Sequence, residues 1–322
     1  MKQAFWACLL IAVPAQAQVA LAEISGSHGA AAQFHGYVAF VDYSARPKIE
    51  PVVIRPKSVT ACGQTCKNPN APLVTTYEFA QSAGTFLTVN GSFSNSAPSY
   101  DVCGCLRVWG PVKSGGKLLW GPTERGDEDG NPALLFGRDG RPQILMAKAA
   151  DLLRARDAIS GEWKNDNSKL TPKPGTLLVK NGVTMGESTL PVPEELAPRT
   201  AVGLTAGGVM IVVVIEGRLP GFSAGITLPD LASLMAAFGA RDAVNLDGGG
   251  STAMIYRPLR TPVVETKKLD DILHSKPAAG SDLRFKLQQR SPLEPFTSRP
   301  CDARPNDLFR PTTIHWGLRA RR

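Results

Sequence analysis

The sequence predicts an α+β fold, a mixed and mostly antiparallel sheet with a few packed helices. Three observations point there. Short apolar runs joined by glycine-containing turns outnumber strand–helix–strand units, so hairpins rather than crossovers organise the chain. Helix start signals stand before residues 76 and 228. The 31 glycines and 26 prolines in 322 residues supply the turns such a sheet needs, without a collagen period. Hydrophobic residues at 43% against 20% charged are enough to fill a core, which excludes a chain disordered throughout.

The elements follow in order. Residues 1–22 read as a signal peptide: Lys2, an apolar run at 4–13, then the cleavage signal Ala15-Gln16-Ala17, with Ala20-Leu21-Ala22 as a second candidate. That run is too short to span a bilayer, and no later run approaches the ~20 residues a span needs. The mature chain is therefore expected to be secreted or periplasmic. Strands are expected at 36–43 and 52–54. Thr75 and Glu78 have the spacing of a capping box that opens a helix through residue 81. A buried strand at 85–89 runs into Asn90-Gly91-Ser92, and residues 134–146 read as a hairpin turning at Gly137-Arg138-Asp139-Gly140. The polar, proline-bounded stretch 161–174 reads as an exposed loop, and 176–180 as a strand. Strands at 200–205 and 209–216 flank Ala206-Gly207-Gly208. Thr227 caps a helix whose Leu231, Leu234, Met235 and Phe238 share one face, and Gly239 ends it. A strand at 243–246 then enters Asp247-Gly248-Gly249-Gly250-Ser251. One domain at 23–255 is expected, with 256–322 a basic, proline-rich tail that returns a last strand at 310–318 to it.

Cysteines and charge bound the surroundings. Removing Cys8 with the signal leaves Cys62, Cys66, Cys103, Cys105 and Cys301. In an oxidising compartment these are disulfide candidates, and no histidine lies near them to favour zinc. The formal net charge is +8, and residues 256–322 carry 14 Lys and Arg against 7 Asp and Glu. The basicity thus belongs to the tail, as a polyanion-facing surface or as a solvated edge. Dinucleotide, P-loop, H-E-x-x-H and nucleic-acid modules are absent from the sequence.

The strongest chemical signal is Asp247-Gly248-Gly249-Gly250-Ser251. A carboxylate at a strand end, followed by three residues without side chains, lets a ligand approach the main chain. Successive N–H groups there can cradle a phosphate. A tight hairpin turn needs one or two glycines, not three. Arg199, at the start of a strand, can fork two N–H bonds onto a phosphate. Glu216, ending an apolar strand before Gly217-Arg218, is a second carboxylate. Asn90-Gly91-Ser92 also fits a glycosylation acceptor, which burial of the strand end would forbid. Gly221-Phe222-Ser223-Ala224-Gly225 matches the nucleophile-elbow pattern, with Ser223, Asp247 and His315 in hydrolase order. Yet Arg218-Leu219-Pro220 separates strand from serine, and the helix cap comes four residues late. A serine hydrolase is the lesser reading.

Taken in sequence, Val89-Asn90-Gly91-Ser92-Phe93, Arg199-Thr200-Ala201-Val202-Gly203, Glu216-Gly217-Arg218 and Asn245-Leu246-Asp247-Gly248-Gly249-Gly250-Ser251-Thr252 resemble the phosphodiester glycosidase family. The resemblance covers about residues 75–254 and the last strand. It implies hydrolysis of a sugar-1-phosphodiester in exopolysaccharide or cell-envelope glycan metabolism, on a phosphorylated or polyanionic glycan. Asp247 is then nucleophile, base or oxocarbenium stabiliser, with Glu216 the second catalytic carboxylate. Arg199, Arg218 and the N–H groups of Gly248, Gly249, Gly250 and Ser251, with Thr252 beside them, hold the phosphate, and Arg310 is a weaker candidate. Asn90 and Asn245 orient sugar hydroxyls. No cofactor is required, although a divalent cation such as calcium or magnesium on Asp247 stays open. Two departures stand out: Glu216 replaces a common aspartate, and residues 257–304 match no family feature. The rival reading is a non-catalytic module binding polyanion or polysaccharide, against which the two carboxylates argue, since an anion site gains nothing from them.

Overall fold

The computed structural model describes residues 19–28, 32–43, 49–53, 60–61, 64–65, 75–93, 108, 110–121, 130–161, 164–165, 172–173, 177–185, 195–258, 283–291, 293–299 and 315–320. Three sheets dominate. The largest has eight strands in the order Val183–Thr184, Val179–Lys180, Ala240–Asn245, Arg199–Thr205, Val209–Ile215, Ala32–Asp42, Val19–His28 and Leu283–Arg290. Every pairing within it is antiparallel. A five-stranded sheet joins Pro142–Ala147, Asn131–Phe136, Asp157–Ser160, Val112–Ser114 and Lys117–Trp120. A second five-stranded sheet joins Phe296–Thr297, Met254–Tyr256, Leu87–Asn90, His315–Ala320 and Ile49–Val53.

The fold is thus mostly β rather than α+β. The described residues include three α-helices, Thr76–Ala83, Ala149–Arg154 and Leu228–Ala237, of 8, 6 and 10 residues. Such short helices cannot form a layer of their own; they pack as single lids on sheet faces. Both expected helix caps are present. Thr75 Oγ1 accepts the Glu78 N–H while the Glu78 carboxylate accepts the Thr75 N–H, a reciprocal capping box. Thr227 Oγ1 accepts the Asp230 N–H.

Strand alternation sorts the large sheet into two buried faces. Ala20, Ala22, Phe40, Ile211 and Val213 face the helix residues Leu228, Leu231, Leu234, Met235 and Phe238. Val19, Leu21, Met210, Val212 and Val214 face Leu87, Val89, Leu134, Phe136, Tyr256 and Trp316 from the two smaller sheets. Val209–Ile215, covered on both sides, is buried at all seven positions. This explains why its sequence is continuously apolar rather than alternating.

Three regions depart from the sequence reading. Val19–His28 is a ten-residue strand whose first four residues, wholly buried, fall inside the segment read as signal. The tail contributes an edge strand at Leu283–Arg290 and a short one at Phe296–Thr297, besides the last strand, which runs His315–Ala320. The stretch 161–174 contains the small antiparallel ladder Lys164–Asn165 with Pro172–Lys173. The five cysteines and Arg310 lie outside the described residues.

Candidate functional site

Four strand ends converge. The last residues of Leu87–Asn90, Val209–Ile215 and Ala240–Asn245 meet the first residues of Arg199–Thr205. Asn90 is fully buried, and its amide works in three directions. Nδ2 donates to the Asp247 carbonyl at 2.5 Å, and Oδ1 accepts from the Thr200 hydroxyl at 2.7 Å and the Ala253 N–H at 3.2 Å. The Asp247 N–H donates to the Gly91 carbonyl at 2.9 Å. The Asn-Gly pair therefore grips the chain at both ends of the glycine turn. These bonds direct Asn90 to protein groups, and its burial rules out glycan attachment. Ser92 extends the clamp, its Oγ accepting the Ser160 N–H at 3.1 Å.

Within the turn, most main-chain donors are already spent. Gly248 N–H donates to Asp247 Oδ1, Gly249 N–H to the Pro198 carbonyl, and Ser251 N–H to the Gly248 carbonyl. Three of the four N–H groups expected to cradle a phosphate thus bond within the protein, and Gly249–Ser251 winds into a 3₁₀ helix. The glycines serve close approach instead. A Cβ on Gly248 would lie 2.7 Å from the Pro198 carbonyl oxygen. Gly249 takes φ +61°, and a Cβ there would lie 3.2 Å from Arg218 Nη1.

Two arginines lie beside the turn. Arg199 is buried, and its Nη2 donates to the Glu195 carbonyl at 3.2 Å. Arg218 is half-exposed and lies 3.8 Å from the Glu195 carboxylate. It holds φ +59°, a left-handed conformation that costs a non-glycine residue energy. Asp247 itself is half-buried, whereas Asn245 and Thr252 are buried at the base of the turn. Beside Arg218 opens a cavity of about 480 Å³, lined by Gln33 and residues 218–224, with Leu219, Pro220 and Phe222 as its apolar wall. Among the described residues no group of three or more His, Cys, Asp or Glu gathers to hold a metal ion.

Glu216 does not face solvent as a second open carboxylate. It is fully buried; Oε2 lies 2.8 Å from His35 Nδ1, and Oε1 accepts the Arg299 N–H. Ser223 is not placed as a nucleophile. Its hydroxyl donates to the Glu216 main-chain carbonyl at 2.6 Å and accepts the His35 N–H at 3.0 Å, which locks the loop. His315 pairs with Asn90 in another sheet and stacks on Phe79, so no Ser–His pair forms. His35, the partner of Glu216, went unnoticed in the sequence. It stands in no motif, and its carboxylate partner lies 181 positions away. Its ring packs at 4.7 Å on Phe222 of the cavity wall and edge-on to Tyr37 at 5.3 Å. Burial pushes the Tyr37 phenol up to about 12, and the Glu216 and Glu23 carboxylates add to the rise.

An antiparallel scaffold that clamps an Asn-Leu-Asp-Gly-Gly-Gly-Ser turn beside two arginines is that of a phosphodiester glycosidase-like domain. The family model described as phosphodiester glycosidase matches residues 83–282, and the chain belongs to that family. Among solved structures it is similar to the catalytic domain of zebrafish N-acetylglucosamine-1-phosphodiester alpha-N-acetylglucosaminidase, auto-inhibited by its pro-peptide. The TM-score is 0.54 at 17% identity, over 87% of this chain and 85% of that one. A candidate exported protein from Burkholderia pseudomallei K96243 gives 0.52 at 15% identity, over 90% of this chain and 75% of that one. A hypothetical protein from Synechocystis gives 0.51 at 13%, over 93% of this chain and 62% of that one. At these identities the likeness is one of fold. No curated protein matches the chain.

Proposed function

We propose that the protein is an exported phosphodiester glycosidase, hydrolysing a sugar-1-phosphodiester to free sugar and a phosphate monoester in exopolysaccharide or cell-envelope glycan metabolism. The observation that carries this is the half-buried Asp247 carboxylate, held by the Asn90–Gly91 clamp next to the Arg199 and Arg218 turn. The arginines bind the phosphodiester. Asp247 supplies negative charge where the anomeric carbon becomes positive, as nucleophile or oxocarbenium stabiliser. The leaving phosphate monoester is a stable anion, so it departs without strong acid assistance. In the assay, purified protein releases free N-acetylglucosamine from a GlcNAc-1-phosphodiester. Silence on a panel of sugar-1-phosphodiesters, with phosphorylated glycan still bound, would favour the non-catalytic module instead.

Export of the chain fits a signal cut after Ala17. That cut leaves Val19–His28 whole, whereas one after Ala22 removes four fully buried residues from a strand paired on both sides. N-terminal sequencing of the exported protein is expected to begin at Gln18. A start at Glu23 would reject this boundary.

A further inference from the structure

We propose that His35, oriented by Glu216, is the general base of the reaction; this rests on the phosphodiester glycosidase reading above. Four hydrogen bonds join the two residues or the loop between them. The imidazole Nδ1 meets Glu216 Oε2 at 2.8 Å, and the Glu216 N–H donates to the His35 carbonyl at 2.8 Å. The Ser223 hydroxyl then bridges the His35 N–H and the Glu216 carbonyl. Phe222 contacts both the His35 ring and the Arg299 guanidinium, whose carbon lies 4.0 Å from the Phe222 ring centre. Phe222 lines the cavity, so the His35 ring packs directly against a lining residue. The ring is not sealed off: the His35 side chain is 16% exposed while that of Glu216 is 0%.

A buried carboxylate is a poor choice for stability alone, because removing its charge from water costs more than its ion pair returns unless geometry is excellent. Here it performs a specific task. By accepting the Nδ1 proton, Glu216 fixes the tautomer in which Nε2 carries a lone pair. The nucleophilic water is the reactant that needs such a group. The phosphate monoester leaves as an anion whose second pKa is about 6, whereas water must lose a proton as it attacks. In the proposed step, with Asp247 as oxocarbenium stabiliser, Nε2 takes that proton while the water oxygen bonds to the anomeric carbon. The bond from that carbon to the phosphate oxygen breaks, its electron pair leaving with the phosphate. The imidazolium then returns the proton to solvent. Glu216 is a positioning residue in this scheme, its two oxygens engaged by His35 Nδ1 and the Arg299 N–H.

The test is kinetic, on the full mature chain with a GlcNAc-1-phosphodiester. His35→Ala is expected to lower kcat by about 10²–10⁴-fold, the usual range for losing a general base, with KM changed less than about threefold. Free imidazole is expected to restore part of the lost rate. Glu216→Gln turns an NH2 group onto either the His35 Nδ1–H or the Arg299 N–H, so it is expected to lower kcat per folded molecule beyond the accompanying loss of melting temperature. A purely structural pair behaves otherwise: His35→Ala loses melting temperature, imidazole rescues nothing, and Glu216→Gln turns over at the wild-type rate. That pattern overturns the dyad while an active wild type upholds the parent reading. A wild type inert on every sugar-1-phosphodiester removes both.

Discussion

Asp247→Asn is expected to lower turnover of a GlcNAc-1-phosphodiester by about 10³-fold or more, with little change in the melting temperature. The substitution keeps the shape of the side chain, and its Oδ1 still accepts the Gly248 N–H that now bonds the carboxylate at 2.9 Å. The main-chain anchors of the turn, Asp247 N–H to Gly91 and Asp247 carbonyl to Asn90, are untouched. What disappears is the negative charge. A transition state that places positive charge on the anomeric carbon loses its stabilisation, while the bound ground state, gripped through its phosphate by arginines, loses almost none. The effect therefore falls on kcat more than on KM. Free sugar is followed at saturating substrate, with thermal melts in parallel. Turnover within tenfold of wild type would remove Asp247 from the reaction and leave the site an anion binder.

The second large effect is expected at Asn90, and it strikes stability and activity together. Asn90→Ala deletes one donor and one doubly used acceptor from a site with no access to water. The Asp247 carbonyl, the Thr200 hydroxyl and the Ala253 N–H each lose a partner, at about 1–3 kcal/mol apiece for a buried polar group left unsatisfied. These costs share one network and do not add in full, so a total of roughly 3–5 kcal/mol is expected. Because both ends of the glycine turn are released, activity falls well beyond the fraction unfolded. Thr200→Val separates the two consequences, since it removes one hydroxyl from the network and leaves the grip on Asp247 intact. Denaturant midpoints and turnover are measured on both variants. An Asn90→Ala protein with normal turnover per folded molecule would show that the turn holds its shape without the clamp.

Local signals were legible in the sequence and distant ones were not. Thr75 with Glu78, Thr227 with Asp230, and the 137–140 turn encode their own geometry within a few residues, so each could be read directly. The Asp-Gly-Gly-Gly-Ser run was legible as main chain approached closely, which in the structure is an approach of Gly248 to Pro198. Its proposed donors, however, could not be checked without knowing that Pro198 and Gly248 supply carbonyls to them. Val19–His28 was obscured because small apolar residues beside an Ala-x-Ala pattern look alike in a strand and in a cleavage region. Leu283, Phe285 and Leu287 did alternate with Arg284, Lys286 and Gln288, a strand signal diluted by prolines on either side. His35 left no local trace. Glu216 stood out as a carboxylate at a strand end, but its burial depends on four segments that meet only in three dimensions.

The outer seam of the large sheet sets the timetable by which the protein can fold. Val19–His28 lies between Ala32–Asp42 and Leu283–Arg290, and the ion pair Glu23–Arg290 joins positions 267 apart. A chain is made from its N-terminus, so the first strand emerges early and forms its hairpin at once. It then waits until residues 283–290 have been made before its second neighbour exists. Closure of so long a loop slows the search for the native pairing. Until the last strands arrive, a nascent chain carries one open row of hydrogen-bonding groups along Val19–His28, and a chain cut short before residue 283 keeps it open for good.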